Sequence, residues 1–185
     1  MTHWIFLRHG ESTANVGGWL SGWQEVPLTE RGRAQAAAAG VALREAALGR
    51  CLVSDAQRTL DTAALALEAR GGPPLPTHVV ADLRERHMGV LQREPWDLVK
   101  ADGRHARWLA PWDVGPPGGE SHADAVGRVC AALRRWDDGT PTLVVTHGSI
   151  LRGLFAVLHG GTPGARPPVG NCEILRWSGP IVASP

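Results

Sequence analysis

A chain of 185 residues, 43% hydrophobic and 20% charged, is long enough to bury a substantial core without disulfides or structural metals. Its 19 Lys+Arg against 18 Asp+Glu leave a net charge of +1, which excludes the electrostatic footprint of a nucleic-acid or anionic-membrane binder and points to a small-molecule or protein partner. No apolar run reaches the roughly 18 residues of a membrane span, and Met1 leads into an apolar strand without signal-peptide features, so a cytoplasmic protein is expected.

In chain order, residues 4–7 form a short apolar run that reads as a buried strand. Ala-rich helical spacing follows over 29–48, with Thr29 as N-cap. A second strand is expected at 51–53, and an amphipathic helix over 58–69 that stops at Gly71-Gly72-Pro73-Pro74. A third strand reads at 77–81. The segment from Glu85 to Gly119 mixes Trp, Arg, Pro and Gly, with one helix expected at 96–108. A clearer helix covers 121–136, a β-branched strand 143–145, a helix 149–158, a loop 160–170 and a last strand 173–177. Alternating strands and helices predict an α/β three-layer sandwich with a mostly parallel central sheet flanked by helices. Residues 1–185 read as a single domain, with a small cap segment at about 86–119. The three cysteines, Cys51, Cys130 and Cys172, lack metal-ligand spacing and read as buried thiols.

In open α/β sheets, ligands bind beyond the carboxyl ends of the strands. The predicted strands are followed by Arg8-His9-Gly10, by Ser54-Asp55-Ala56-Gln57-Arg58, by Glu85-Arg86-His87 and by His147-Gly148-Ser149. Two histidines, two arginines and a glutamate are thus expected on one rim. Phosphoryl transfer through phosphohistidine needs those residue types. A neutral imidazole, His9, attacks phosphorus, while Arg8, Arg58 and His147 hold the equatorial oxygens. The guanidinium charges disfavour a protonated His9. Glu85 protonates the leaving oxygen and then deprotonates the attacking water, and Gly10 and Gly148 let the backbone approach the phosphate. Each residue alone has a plainer reading as a polar strand end, a helix-surface arginine or a solvated acid. The joint occurrence at separate strand ends favours the chemistry. Two other classes stay open: a metal hydrolase using His9, His147 and Glu85 as ligands, disfavoured by Arg8 and Arg58, and a non-catalytic phosphoprotein-binding module.

The stretch Leu7-Arg8-His9-Gly10-Glu11-Ser12 with Asn15 resembles the signature of the histidine phosphatase superfamily, which includes cofactor-dependent phosphoglycerate mutases. The resemblance continues through Ser21-Gly22-Trp23, Pro27-Leu28-Thr29-Glu30-Arg31-Gly32, Ser54-Asp55 with Arg58, Glu85, Pro117-Gly118-Gly119-Glu120-Ser121 and Thr146-His147-Gly148. It implies a phosphoglycerate mutase-like fold, His9 as the phosphorylated residue, Arg8, Arg58 and His147 as the phosphate pocket, and Glu85 as proton donor. It also implies Asn15, Ser21, Gly22 and Gly148 at the pocket edge. No metal or organic cofactor is expected of a phosphatase, whereas a mutase needs a 2,3-bisphosphoglycerate primer.

Glu85-Arg86-His87-Met88-Gly89-Val90-Leu91-Gln92 closely resembles a stretch of the mutases and taken alone favours a mutase, but their tyrosine is Met88 here and their lysine aligns with Trp96. Leu109-Ala110-Pro111 stands where their paired arginines are expected. The stretch between Glu85 and His147 is also short for a lid that must shield phosphohistidine from water. The expectation is a histidine acid phosphatase-type phosphomonoester hydrolase acting on a small phosphorylated metabolite; the alternative is a phosphoglycerate mutase. Arg93, Trp96, Arg104, Arg107, Trp108 and Trp112 in the cap either meet the substrate or form a surface tryptophan cluster. A homodimer is possible through an edge strand.

Overall fold

The structure, a computed structural model, describes residues 2–161 and 167–181. Among these residues five strands form one sheet in the order β3-β2-β4-β1-β5, where β1 is His3–Arg8, β2 Arg50–Val53, β3 Thr77–Val79, β4 Thr142–Thr146 and β5 Ile174–Ser178. β1 pairs in parallel with β4, as β2 does with β3 and β4; β5 runs antiparallel along β1. Helices α1 (Thr13–Gly17), α2 (Glu30–Ala42), α3 (Gln57–Arg70), α4 (Trp96–Ala101), α5 (His122–Arg134) and α6 (Gly148–Leu158) complete the regular helical elements.

Alternation along the strands assigns the two faces. Trp4, Phe6, Leu52 and Val144 pack against α5 and α6 through Val126, Val129, Leu151, Leu154 and Phe155. Leu7, Cys51, Val53, Leu143 and Val145 turn the other way, onto Ala39 of α2 and Ala63 and Ala66 of α3. Both faces of the central strands are therefore dry, which is why they read as unbroken apolar runs. Among the described residues no helix is long and apolar enough to cross a membrane.

Small residues let α2 and α3 approach closely. A Cβ on Gly40 would lie 2.1 Å from the Ala66 carbonyl oxygen. Gly40→Ala gains about 1 kcal/mol of helix propensity but must push the helices apart, so a net loss of about 1–3 kcal/mol is expected. A urea midpoint lowered at unchanged m would show it; a raised midpoint would mean that the crossing yields freely.

Several elements differ from expectation. The helix expected over 29–48 starts after its Thr29 cap but ends at Ala42, because Leu43 turns into the core and the chain tightens, Arg44 N–H bonding Val41 O and Ala46 N–H bonding Leu43 O. The cap helix expected over 96–108 splits at Gly103, whose φ of 80° suits glycine, into α4 and a π-helical turn at His105–Leu109. The third strand stops at Val79, and α1 was not anticipated. Cys51 and Cys130 are buried, but Cys172 is only half-buried, at a φ of 55°. Of the loop expected over 160–170, residues 162–166 lie outside the described residues.

Candidate active site

The carboxyl ends of β1, β2 and β4 and the turn after β3 bring the expected residues into one cluster. His9 follows β1, its N–H bonded to Thr146 O at 3.0 Å, and is 4% exposed. The His147 ring lies 5.3 Å from it, centroid to centroid. His9 Nδ1 is 2.7 Å from the Gly10 carbonyl. A carbonyl only accepts, so Nδ1 carries the proton and, in the neutral ring, Nε2 carries the bare lone pair.

Arg58, on the first turn of α3, is fully buried and donates to the carbonyls of Gly22 (2.8 Å) and Gln24 (2.9 Å). Arg8 donates through Nη1 to Val169 O at 2.6 Å. A Cβ at Gly148 would sit 2.9 Å from Arg8 Nε, so only glycine admits this approach of α6 to the guanidinium. Glu85 Oε1 accepts the Arg86 N–H at 2.8 Å and Oε2 the Ser149 N–H at 3.2 Å. Its negative charge acts on Arg8, Arg58 and Arg86 alike, opposing the effect of burial on each. His147 Nε2 meets Ser54 Oγ at 3.0 Å.

The expected edge residues lie less centrally. Asn15, on exposed α1, accepts from Ser12 and from Asn171 Nδ2 through its Oδ1. Ser21 is half-buried and lends its carbonyl to a turn with Gln24 N–H. Gly22 enters through the carbonyl that Arg58 holds.

Three buried polar atoms of this cluster have no protein partner among the described residues: Arg8 Nε, Arg58 Nε and His147 Nδ1. A buried donor without an acceptor costs on the order of 1–3 kcal/mol, and a set of them suits an anion. Burial, with the charges of Arg58 and Arg8, pushes the pKa of His9 well below its usual 6.5; burial and Arg58 push His147 the same way. Both rings thus stay neutral in the folded chain while those of the unfolded chain protonate. This stability is fully present above pH 6.5 and is lost as the pH falls below it. Urea titrations at descending pH are expected to show that decline, and a flat profile would contradict the buried neutral rings.

Sequence reasoning missed the braces of the cluster. Arg128 binds both Glu120 oxygens, at 2.9 and 2.8 Å, and donates to the carbonyls of Asp82, Arg84 and Glu85, while Glu120 accepts the His87 N–H. The motif that contains Glu120 was visible but had no assigned task. Trp23 donates through Nε1 to Glu85 O at 2.7 Å and lies under the Arg84 guanidinium. Asn171 Nδ2 donates to His9 O at 3.1 Å, a contact with no local sequence signal.

This sheet order, with its helical layers and its cluster at the strand ends, defines the phosphoglycerate mutase-like class of α/β proteins. Phosphoglycerate mutase from Bacillus anthracis superposes with a TM-score of 0.82 at 24% identity over 95% of this chain and 86% of its own, a likeness of fold. A mycobacterial glucosyl-3-phosphoglycerate phosphatase, solved with VO3, superposes with a TM-score of 0.82 at 30% identity, covering 95% of this chain and 92% of that one. A 2,3-bisphosphoglycerate-dependent phosphoglycerate mutase from Methylobacterium sp. (strain 4-46) is 39% identical over 190 residues, 96% of this chain and 88% of the relative. The adenosylcobalamin/alpha-ribazole phosphatase of Salmonella typhimurium is 35% identical over 164 residues, covering 85% of this chain and 79% of its own length. The family model of branch 1 matches residues 4–178, and the chain belongs to the histidine phosphatase superfamily.

Proposed function

We propose that this chain is a phosphomonoester hydrolase that works through a phosphohistidine at His9. The observation that carries the reading is a neutral His9 with its Nδ1–H tied to Gly10 O, among buried donors that lack protein acceptors.

His9 Nε2 attacks phosphorus; the P–N bond forms, the ester P–O bond breaks, and Glu85 gives its proton to the leaving oxygen. The Glu85 carboxylate then takes a proton from water, whose oxygen attacks phosphorus. The P–N bond breaks, phosphate leaves and the lone pair returns to Nε2. Arg8 and Arg58 offset the charge on the equatorial oxygens. With Ser54 Oγ–H donating to His147 Nε2, the Nδ1–H of His147 is a further donor for that group. Asn15, Ser21, Gly22 and Gly148 border the phosphate pocket. No metal or organic cofactor takes part.

Hydrolysis is favoured over mutation of phosphoglycerate by the cap. Met88 and Leu109, at positions where mutases place polar groups, are buried in one apolar cluster with Leu91 and Val99. A second reading, phosphoglycerate mutase, is favoured by the names of relatives such as the one from Methylobacterium; it adds a requirement for a 2,3-bisphosphoglycerate primer. One assay separates them. With 3-phosphoglycerate and a phosphomonoester panel, a phosphatase releases phosphate without primer. Primer-dependent formation of 2-phosphoglycerate with no matching phosphate release would overturn the hydrolase reading.

A further inference from the structure

Beside the phosphate cluster runs a line of side chains that the reaction steps above do not use. Arg86 is 2% exposed, and its Nη1 lies 3.0 Å from His122 Nδ1; His122 Nε2 lies 2.9 Å from Ser149 Oγ. The three residues come from the turn after β3, the first turn of α5 and the first turn of α6. Arg86 and Ser149 also meet at Glu85, whose two carboxylate oxygens accept from the backbone of each.

The direction of each bond is fixed by chemistry. A guanidinium only donates, so His122 Nδ1 accepts. The neutral ring then carries its proton on Nε2 and donates it to Ser149 Oγ, which leaves the serine proton free to donate elsewhere. Burial, together with the charges of Arg86 and Arg152, pushes His122 down to about 3, which keeps the ring an acceptor. His105 acts in the same direction. Trp112 stacks on the imidazole at 6.0 Å with an interplanar angle of 8°, fixing the plane of the ring. Arg86 Nε is buried with no partner among the described residues. Arg86 and Ser149, whose backbone N–H groups hold the Glu85 carboxylate, thus each retain a side-chain donor.

We infer that His122 is a positioning residue that locks Arg86 and Ser149 into one hydrogen-bonded line on the leaving-group side of the site, selecting phosphomonoesters whose leaving group carries an oxygen acceptor. This rests on the phosphoryl-transfer reading of the site. His122 touches neither the phosphate nor the reacting atoms; it acts through its two neighbours.

Two measurements test it. Nitrogen-15 spectra of the histidine rings in the intact wild-type protein are expected to show His122 as the neutral Nε2–H tautomer at neutral pH. An Nδ1–H tautomer or a protonated ring overturns the inference, whatever the variants do. The second compares His122→Leu with His122→Gln, whose amide can accept from Arg86 and donate to Ser149. Binding of 3-phosphoglycerate is expected to weaken roughly tenfold in H122L and to recover in H122Q. Orthovanadate, which probes the phosphate pocket alone, is expected to bind all three proteins within about twofold. Unchanged 3-phosphoglycerate binding in H122L, or parallel loss of both ligands, overturns the inference; should H122L fail to fold, the tautomer decides. A wild type that binds neither ligand overturns the parent reading and this inference with it, and so is distinct from a failure confined to His122.

Discussion

His9→Ala is expected to lower phosphate release on the order of 10^5-fold while leaving the fold intact. The size follows from removing a nucleophile, for which neighbouring groups cannot compensate. The fold should survive because the ring is neutral and, among the described residues, its side-chain bond is to the adjacent Gly10 carbonyl. The variant should also fail to take up an acid-labile, alkali-stable phosphoryl group, as a P–N bond requires. Wild-type turnover in His9→Ala would remove His9 from the chemistry and leave His147, 5.3 Å away ring to ring, as the candidate.

Glu85→Gln should give the next largest effect, roughly 10^2 to 10^4-fold in turnover. The amide oxygen can keep one of the two backbone N–H bonds that Glu85 accepts from Arg86 and Ser149, so the loss reports on proton transfer more than on placement. The leaving group supplies a sharper test. p-Nitrophenolate needs no proton to depart, so the first step survives in the variant, whereas water still lacks its base in the second. Phosphohistidine is therefore expected to accumulate with p-nitrophenyl phosphate. Equal slowing with good and poor leaving groups, without accumulation, would assign Glu85 a purely structural role.

Legibility in the sequence followed local physics. β1, β2 and β4 are buried on both faces, so their apolar runs announced them, and the rule that ligands lie beyond strand ends pointed to His9, Arg58 and His147. The end of α2 was not legible, because Leu43 turns inward for a reason that lies in the sheet below it. The cap misled for a similar reason: Gly103 breaks the helical spacing with a left-handed turn. Least legible were contacts between distant segments. Arg86, His122 and Ser149 lie in three segments that look independent until the fold joins them. Arg50 precedes an apolar run and resembles a loop residue, yet it is buried and held by Asp138 at 2.8 Å and Thr142 at 2.9 Å.

The order of strands in the sheet also governs assembly during synthesis. β1 ends at Arg8, next to His9, and is made before the other four described strands, yet its neighbours in the sheet are β4 and β5, the last of the five to appear. The groups that hold the carboxyl end of the first strand, Val169 for Arg8 and Asn171 for His9, are made late as well. While α2, β2, α3 and β3 already have one another as partners, β1 must wait with open edges. A nascent chain halted before β4 would therefore hold Arg8, His9, Arg58 and Glu85 without the His147 that gathers with them, its first strand available to any chaperone that recognises an unpaired apolar edge.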